Sequence, residues 1–266
     1  TLPGGVEAIN LARGSLDKYL NGAGGYGIGH EDAQPDTYPA LLIAAWDVIR
    51  VTGDLDCLHG WLSKLEAIAA KIIALDRNTN GLPESTRSGL SGEFRGPAGN
   101  WWDQINFGHE DAYVCALSFR AFHGLADLEQ LAGRTEAAAR WDREAERIRA
   151  TYVSAFLSPE TGIIAGWRDS QGKLHDYWFL FINGIAISYG LVPDNVANSI
   201  LDRCEAKLKA VGYTNFSLGL PGNLEPIARS DYGQGVIGSP REEDGRDTFG
   251  VFENGGATAC YAYFYT

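Results

Sequence analysis

Apolar residues recur along most of this chain at spacings of three and four, the period of a helix with one buried face. The pattern predicts helices over GVEAINLARGSLDKYL and over 36–52, 56–75, 110–132, 135–157, 177–190 and 194–210. Their ends carry the expected punctuation. Gly53, Gly81, Gly133, Gly190 and Gly212 fall just past apolar runs, and Asp54, Thr135 and Asp194 stand near starts. A final apolar run, ACYAYFYT, reads as the beginning of one more helix.

The helices alternate between two kinds. Those at 56, 135 and 194 have one charged face, as in REAERIRA, whereas those at 36, 110 and 177 are apolar nearly all round, as in YWFLFINGIAISYG. A helix apolar on every side is buried on every side. Half-exposed helices alternating with buried ones imply an inner ring wrapped by an outer one, an all-α α/α toroid of repeated helical hairpins. The whole of 1–266 reads as a single domain of this kind.

The connections alternate as well. VTGD, LAGRT and YGLVPD are short, whereas 21–35, 76–109, 158–176 and 211–254 are long and rich in Gly, Trp, His and carboxylates. Within the third long link, DSQG between short apolar stretches predicts a β-hairpin. All four long links lead into inner helices, so they are expected to gather over one mouth of the ring, where a rigid scaffold carries function on its loops.

Composition narrows the partners. The chain has 266 residues and a net charge of -12, which repels nucleic acid and anionic lipid and favours neutral or cationic ligands. Seven Trp, 12 Tyr and 11 Phe supply flat faces of the kind that stack on sugars. Cys57, Cys115, Cys204 and Cys260 are scattered without a CxxC pair and read as free thiols. No apolar run approaches the ~20 residues of a membrane span and no leader pattern opens the chain, so it reads as soluble. The lack of any methionine, with an unfinished apolar run at the end, suggests a fragment trimmed at both ends.

GHEDA occurs at 29–33 and again at 108–112. Each copy lies just before an inner helix, where unpaired amides and the helix dipole favour acids, so it reads first as a structural corner. Consecutive His, Glu and Asp diverge and lack the HExxH spacing, which argues against a pair of metal sites.

Two stretches carry candidate chemistry. In GPAGNWWDQINFGHEDAY, Asp103 follows Trp101 and Trp102; a carboxyl against indole faces is desolvated and suited to act as a general acid. The same residues also read as core tryptophans and a cap. In GVFENGGATACYAY, Glu253 stands before Asn254 and a glycine pair, placed to activate water or to act as a nucleophile, or simply to cap a helix. Glu110 is a third candidate acid. His30, Asp32, Asp36, His109, Trp167, His175, Asp176 and Asn254 supply stacking faces and bidentate polar groups for sugar hydroxyls.

With NGLP at 80–83, NWWD at 100–103, LAGRTEAAARWDREAERIRATY, TGIIAGWRDSQGKLHDYWF and the terminal FENGG, the chain resembles the six-hairpin glycosidases. These include the glycogen-debranching, glucoamylase, trehalase and α-L-rhamnosidase types. The resemblance implies an (α/α)6 barrel and a glycoside hydrolase, with Asp103 as general acid and Glu253 as general base and no metal or organic cofactor. A complete ring has twelve helices and about eight are counted here, so roughly two hairpins are expected from a partner or a missing segment. A sugar phosphorylase on the same ring, and a non-catalytic carbohydrate-binding toroid, are the rival readings.

Overall fold

The computed structural model describes residues 5–22, 35–85, 99–102, 104–214, 216–233, 238–258 and 263–265. Seven α-helices occur among them: α1 (Gly5–Leu20), α2 (Thr37–Thr52), α3 (Leu55–Ala74), α4 (Ala112–Leu131), α5 (Thr135–Phe156), α6 (Leu180–Ser188) and α7 (Asp194–Ala210). Five two-residue strands accompany them: β1 (Glu110–Asp111), β2 (Trp167–Arg168), β3 (Leu174–His175), β4 (Leu220–Pro221) and β5 (Ala257–Thr258). The chain divides into two compact units, one of Thr1–Pro83 with Leu117–Ile148 and one of Glu84–Ala116 with Arg149–Thr266. Among the described residues, no helix is long and apolar enough to cross a membrane.

In the first unit, α1 packs on α2 and α3, and α2 and α3 form a hairpin. Its turn follows from chemistry at both ends. Gly53 takes the left-handed conformation that a side chain resists and donates to Ile49 O at 2.8 Å, and Asp54 accepts from Cys57 N–H at 2.9 Å to cap α3. α3 buries Leu58, Trp61, Leu62, Leu65, Ile68, Ala69 and Ile72, the single stripe its period requires. α2 departs from the all-round burial expected of it, since Ala40, Asp47, Arg50 and Val51 are exposed. Its two charges, Asp47 and Arg50, already mark that face as polar. Asp36 immediately precedes α2 and is buried. The NGLP turn is built by side chains: Asn80 Oδ1 accepts from Leu82 N–H at 2.8 Å, and Asp76 Oδ2 accepts from Gly81 N–H at 3.0 Å and from Arg147 at 2.8 Å.

In the second unit, α6 packs on α7. α6 is buried without interruption from Leu180 to Ala186, as an inner helix should be, while α7 buries only Ala197, Ile200, Cys204 and Leu208. α6 begins three residues later than the apolar pattern suggests. Trp178 adopts φ 58°, which breaks helical continuity, and Asp176 Oδ1 accepts its N–H at 3.1 Å.

Three strands form an antiparallel sheet in the order β1-β2-β3, pairing Glu110 with Arg168 and Trp167 with His175. The β2–β3 hairpin is the one signalled by DSQG. Asp169 Oδ1 accepts from Gln171 N–H at 2.9 Å and Lys173 N–H at 3.0 Å, and Gly172 turns at φ 85°. β4 pairs with β5, which ends just before the apolar run 259–266; of that run only 263–265 are among the described residues. A cluster of Trp102, Phe107, Trp167, Phe179 and Phe181 forms the aromatic core of this unit. Cys57, Cys115 and Cys204 are free thiols, as their spacing suggested, and Cys260 lies outside the described residues.

Candidate active site

The second unit draws together three of the long links. Residues of 84–109 pair with the fourth link through the Ile105–Tyr232 bridge, and the β2–β3 hairpin of the third link lies against β1. Of the residues singled out by sequence, Trp101, Trp102, His109, Glu110, Trp167, His175, Asp176, Glu253 and Asn254 belong to this unit, and Asp36 belongs to the first. His30, Asp32 and Asp103 lie outside the described residues.

Glu253 is buried at 4% exposure, and its Oε2 accepts the backbone N–H of Gln104 at 3.2 Å. The surrounding FENGG segment is pinned by side chains. Asn254 Oδ1 accepts from Ile227 N–H at 2.9 Å, and its Nδ2 donates to Gly245 O and to Thr248 Oγ1, each at 3.0 Å. Asn223 Oδ1 accepts from Gly255 N–H at 2.7 Å. Both glycines are required. A Cβ on Gly256 would sit inside contact distance of Phe252 O, and one on Gly255 would meet the Phe249 ring at 2.6 Å with φ already 82°. Phe252 itself is held at φ 47°, an uncommon conformation for an aromatic residue and one that clusters at functional sites. Asn254 is therefore occupied with fixing this turn, and what the turn fixes is Glu253.

The same unit holds a cavity of about 670 Å³ lined by Arg229, Ser230, Tyr232, Gly233, Ser239, Pro240, Arg241 and Glu243; Glu253 is not part of its lining. That volume falls within the range of small-molecule sites. Gly233 of the cavity wall donates its N–H to Gln104 O at 2.8 Å, so the wall reaches Glu253 through Gln104. Burial pushes the Tyr232 hydroxyl up to about 12, with the Glu253 and Asp247 charges adding to it.

Glu110 and Asp111 divide the work of the GHED corner. Asp111 Oδ1 accepts from Tyr113 N–H at 2.8 Å and Val114 N–H at 3.3 Å, capping α4, while Oδ2 accepts from Asn100 at 2.7 Å. Glu110 Oε2 receives Arg168 Nε at 2.7 Å and Nη2 as well. His109 Nε2 stands 3.5 Å from Glu84 Oε1, and donor atoms of Glu84, His109 and Glu110 lie within 4.8 Å of one another, a set able to hold a cation.

His175 is buried between two carboxylates. Its Nδ1 is 2.7 Å from Asp231 Oδ2 and its Nε2 is 3.0 Å from Asp169 Oδ2, and Tyr177 OH donates to the same Asp231 oxygen at 2.6 Å. Trp167 stacks on the imidazole at 4.6 Å and 8°. Burial alone would lower the His175 pKa, but the bonds and charge of Asp231 and the bond to Asp169 outweigh it and raise the value. Asp176 binds Thr161 Oγ1 and the Trp178 N–H, with burial raising its carboxyl.

The aromatic residues separate by exposure. Trp102 is completely buried against Phe107, Phe179 and Phe181, and Trp167 is 1% exposed, so both serve the core where a stacking role was expected. Trp101 is 40% exposed and keeps an accessible face. Sequence reasoning missed Glu84, Asp169 and Asp231. Asp169 was detectable as the first residue of DSQG, whereas Glu84 and Asp231 acquire their roles only through contacts between links.

No family model matches the chain, and no curated protein does. Solved structures do. A GH78 family rhamnosidase of Bacillus sp. GL1 is similar over 78% of this chain at 16% identity and a TM-score of 0.55, and a rhamnosidase from Klebsiella oxytoca with rhamnose bound over 74% at 11% identity and 0.55. The chain spans only 20% and 38% of those two structures. The likeness shows the fold, that of the six-hairpin, (α/α)6-barrel glycoside hydrolases.

Proposed function

We propose that this chain carries the catalytic carboxylates of a glycoside hydrolase acting on a neutral oligosaccharide or glycoside. Glu253 is assigned as the general base that activates water, and Asp103 as the general acid that protonates the leaving oxygen. The observation that carries the reading is the buried Glu253 carboxylate, held on the N–H of Gln104, the residue that follows Asp103 in sequence; Gln104 is bonded in turn to Gly233 on the wall of a 670 Å³ cavity. Asp103 is preferred to Glu110 because the Arg168 guanidinium clasps Glu110. Hydrolysis is proposed to invert the anomeric centre, which requires about 6.5–9.5 Å between the two carboxyls so that water fits between. Trp101, with its exposed face, is the stacking residue of the proposal.

A panel of aryl α- and β-glycosides tests this, read by released chromophore. Rhamnosides of both anomers belong in it, because the two similar structures are rhamnosidases. Arg229 and Arg241 on the cavity wall favour one second reading, a phosphorylase in which phosphate replaces water. Turnover independent of added phosphate, giving free sugar, supports the hydrolase; strict phosphate dependence, giving a sugar phosphate, supports the rival. Sugar binding without any turnover supports a non-catalytic carbohydrate-binding toroid.

A further inference from the structure

Local spacing argues against a metal at GHED because its own three side chains diverge. The fold adds a fourth residue from another segment. Glu84 pairs with Glu110 through an antiparallel bridge, and Ser85 N–H donates to His109 O at 2.7 Å. These backbone contacts set residues 84–85 against 109–110, and one donor atom each from Glu84, His109 and Glu110 comes within 4.8 Å of the others. Both carboxylates are buried, at 4% and 1% exposure.

The separation of His109 and Glu84 suits a shared cation better than a direct hydrogen bond. His109 Nε2 and Glu84 Oε1 stand 3.5 Å apart, beyond the ~2.7–2.9 Å of a charge-assisted bond. Nitrogen and oxygen bound to one tetrahedral ion at about 2.0–2.2 Å stand roughly 3.3–3.5 Å apart. Arg168 directs both its contacts to Glu110 Oε2, the kind of outer hydrogen bonding that orients a ligating carboxylate.

We propose that Glu84, His109 and Glu110 bind one first-row divalent cation, with zinc as the best-suited ion and water completing its shell. The imidazole among the donors selects zinc over calcium and magnesium, which prefer all-oxygen sites. The cation ties residues 84–85 to the start of α4. This assignment does not depend on the glycosidase reading.

The test is calorimetric titration of the chelator-stripped full chain with Zn²⁺, Mn²⁺ and Ca²⁺ in parallel, alongside Glu84→Gln and His109→Gln. We expect one saturable Zn²⁺ site, weakened about tenfold or more in either variant, and a Zn²⁺-dependent rise in melting temperature that both variants lose. Circular dichroism identifies any variant that does not fold, and His109→Gln, at the partly exposed position, stands in if Glu84→Gln fails. No saturable Zn²⁺ or Mn²⁺ binding, binding unchanged in a folded variant, or a preference for Ca²⁺ would each overturn the proposal.

Discussion

Gln104 donates its backbone N–H to Glu253 Oε2 at 3.2 Å, joining two links 149 residues apart in sequence. The bond fixes one oxygen of a buried carboxylate, and Gln104 accepts in turn from Gly233, on the wall of a cavity large enough for a sugar. Much of the surrounding structure serves this arrangement, and its parts can be tested one at a time.

Asn254→Ala removes four side-chain hydrogen bonds from a buried site and leaves Ile227 N–H and Gly245 O without that partner. A loss of about 2–4 kcal/mol in denaturant unfolding is expected, since each buried polar group left unsatisfied costs about 1–3 kcal/mol. A loss below about 0.5 kcal/mol would show that Asn254 does not hold the turn.

Gly256→Ala places a methyl group against Phe252 O, which is backbone and cannot rotate away. The FENGG turn must shift, so a loss of about 1–3 kcal/mol is expected together with reduced turnover. Gly60→Ala, in α3 with open space around it, is the control and should be neutral or stabilising.

Trp102→Ala and Trp101→Ala distinguish core from platform. The buried Trp102 should cost about 3–5 kcal/mol in stability. Trp101, 40% exposed, should cost far less stability while weakening sugar binding. Equal stability losses at the two positions would contradict the division.

The His175 network sets a pH dependence with a definite sign. His175 is raised by Asp231 and Asp169 against the effects of burial and of nearby Lys173, so its contribution is complete below the ordinary histidine pKa of about 6.5 and fades as pH rises through the raised value. Burial alone would raise Asp169, but the bonds from His175, Lys173 N–H and Gln171 N–H outweigh it and lower the carboxyl. That contribution is present above the ordinary carboxylate pKa and fades as pH falls through the lowered one. Tyr177 donates to Asp231 and completes the set. Denaturant unfolding should therefore show the parent losing stability as pH rises above about 6.5, with His175→Gln flatter over the same interval. Parallel curves would contradict the assignment.

The helices were legible because a 3.6-residue period depends on neighbours along the chain. α5 and α7 bury the stripes their sequences show, and DSQG announces a turn whose first residue supplies its own acceptor. Where a side chain's surroundings come from another link, the pattern is silent. Adjacent tryptophans in a glycine-rich loop look alike in sequence whether they face core or solvent; in the structure both rings reach Phe181, and Trp102 packs in addition on Phe107 and Phe179. Glu84 beside Glu110 and Asp231 beside His175 arise likewise from long-range pairing. FENGG was the most informative stretch, since a glycine pair after an Asn already signals a tight turn presenting the preceding carboxylate.

The most direct measurement is the turnover of Glu253→Gln on whichever aryl glycoside the parent cleaves. Glutamine keeps an oxygen to accept the Gln104 N–H and loses only the basic charge, so the fold should persist. A fall in rate on the order of 10²–10⁴ with sugar binding retained is the expected result. Undiminished turnover in the folded variant would remove Glu253 from the chemistry and with it the proposed assignment of the site.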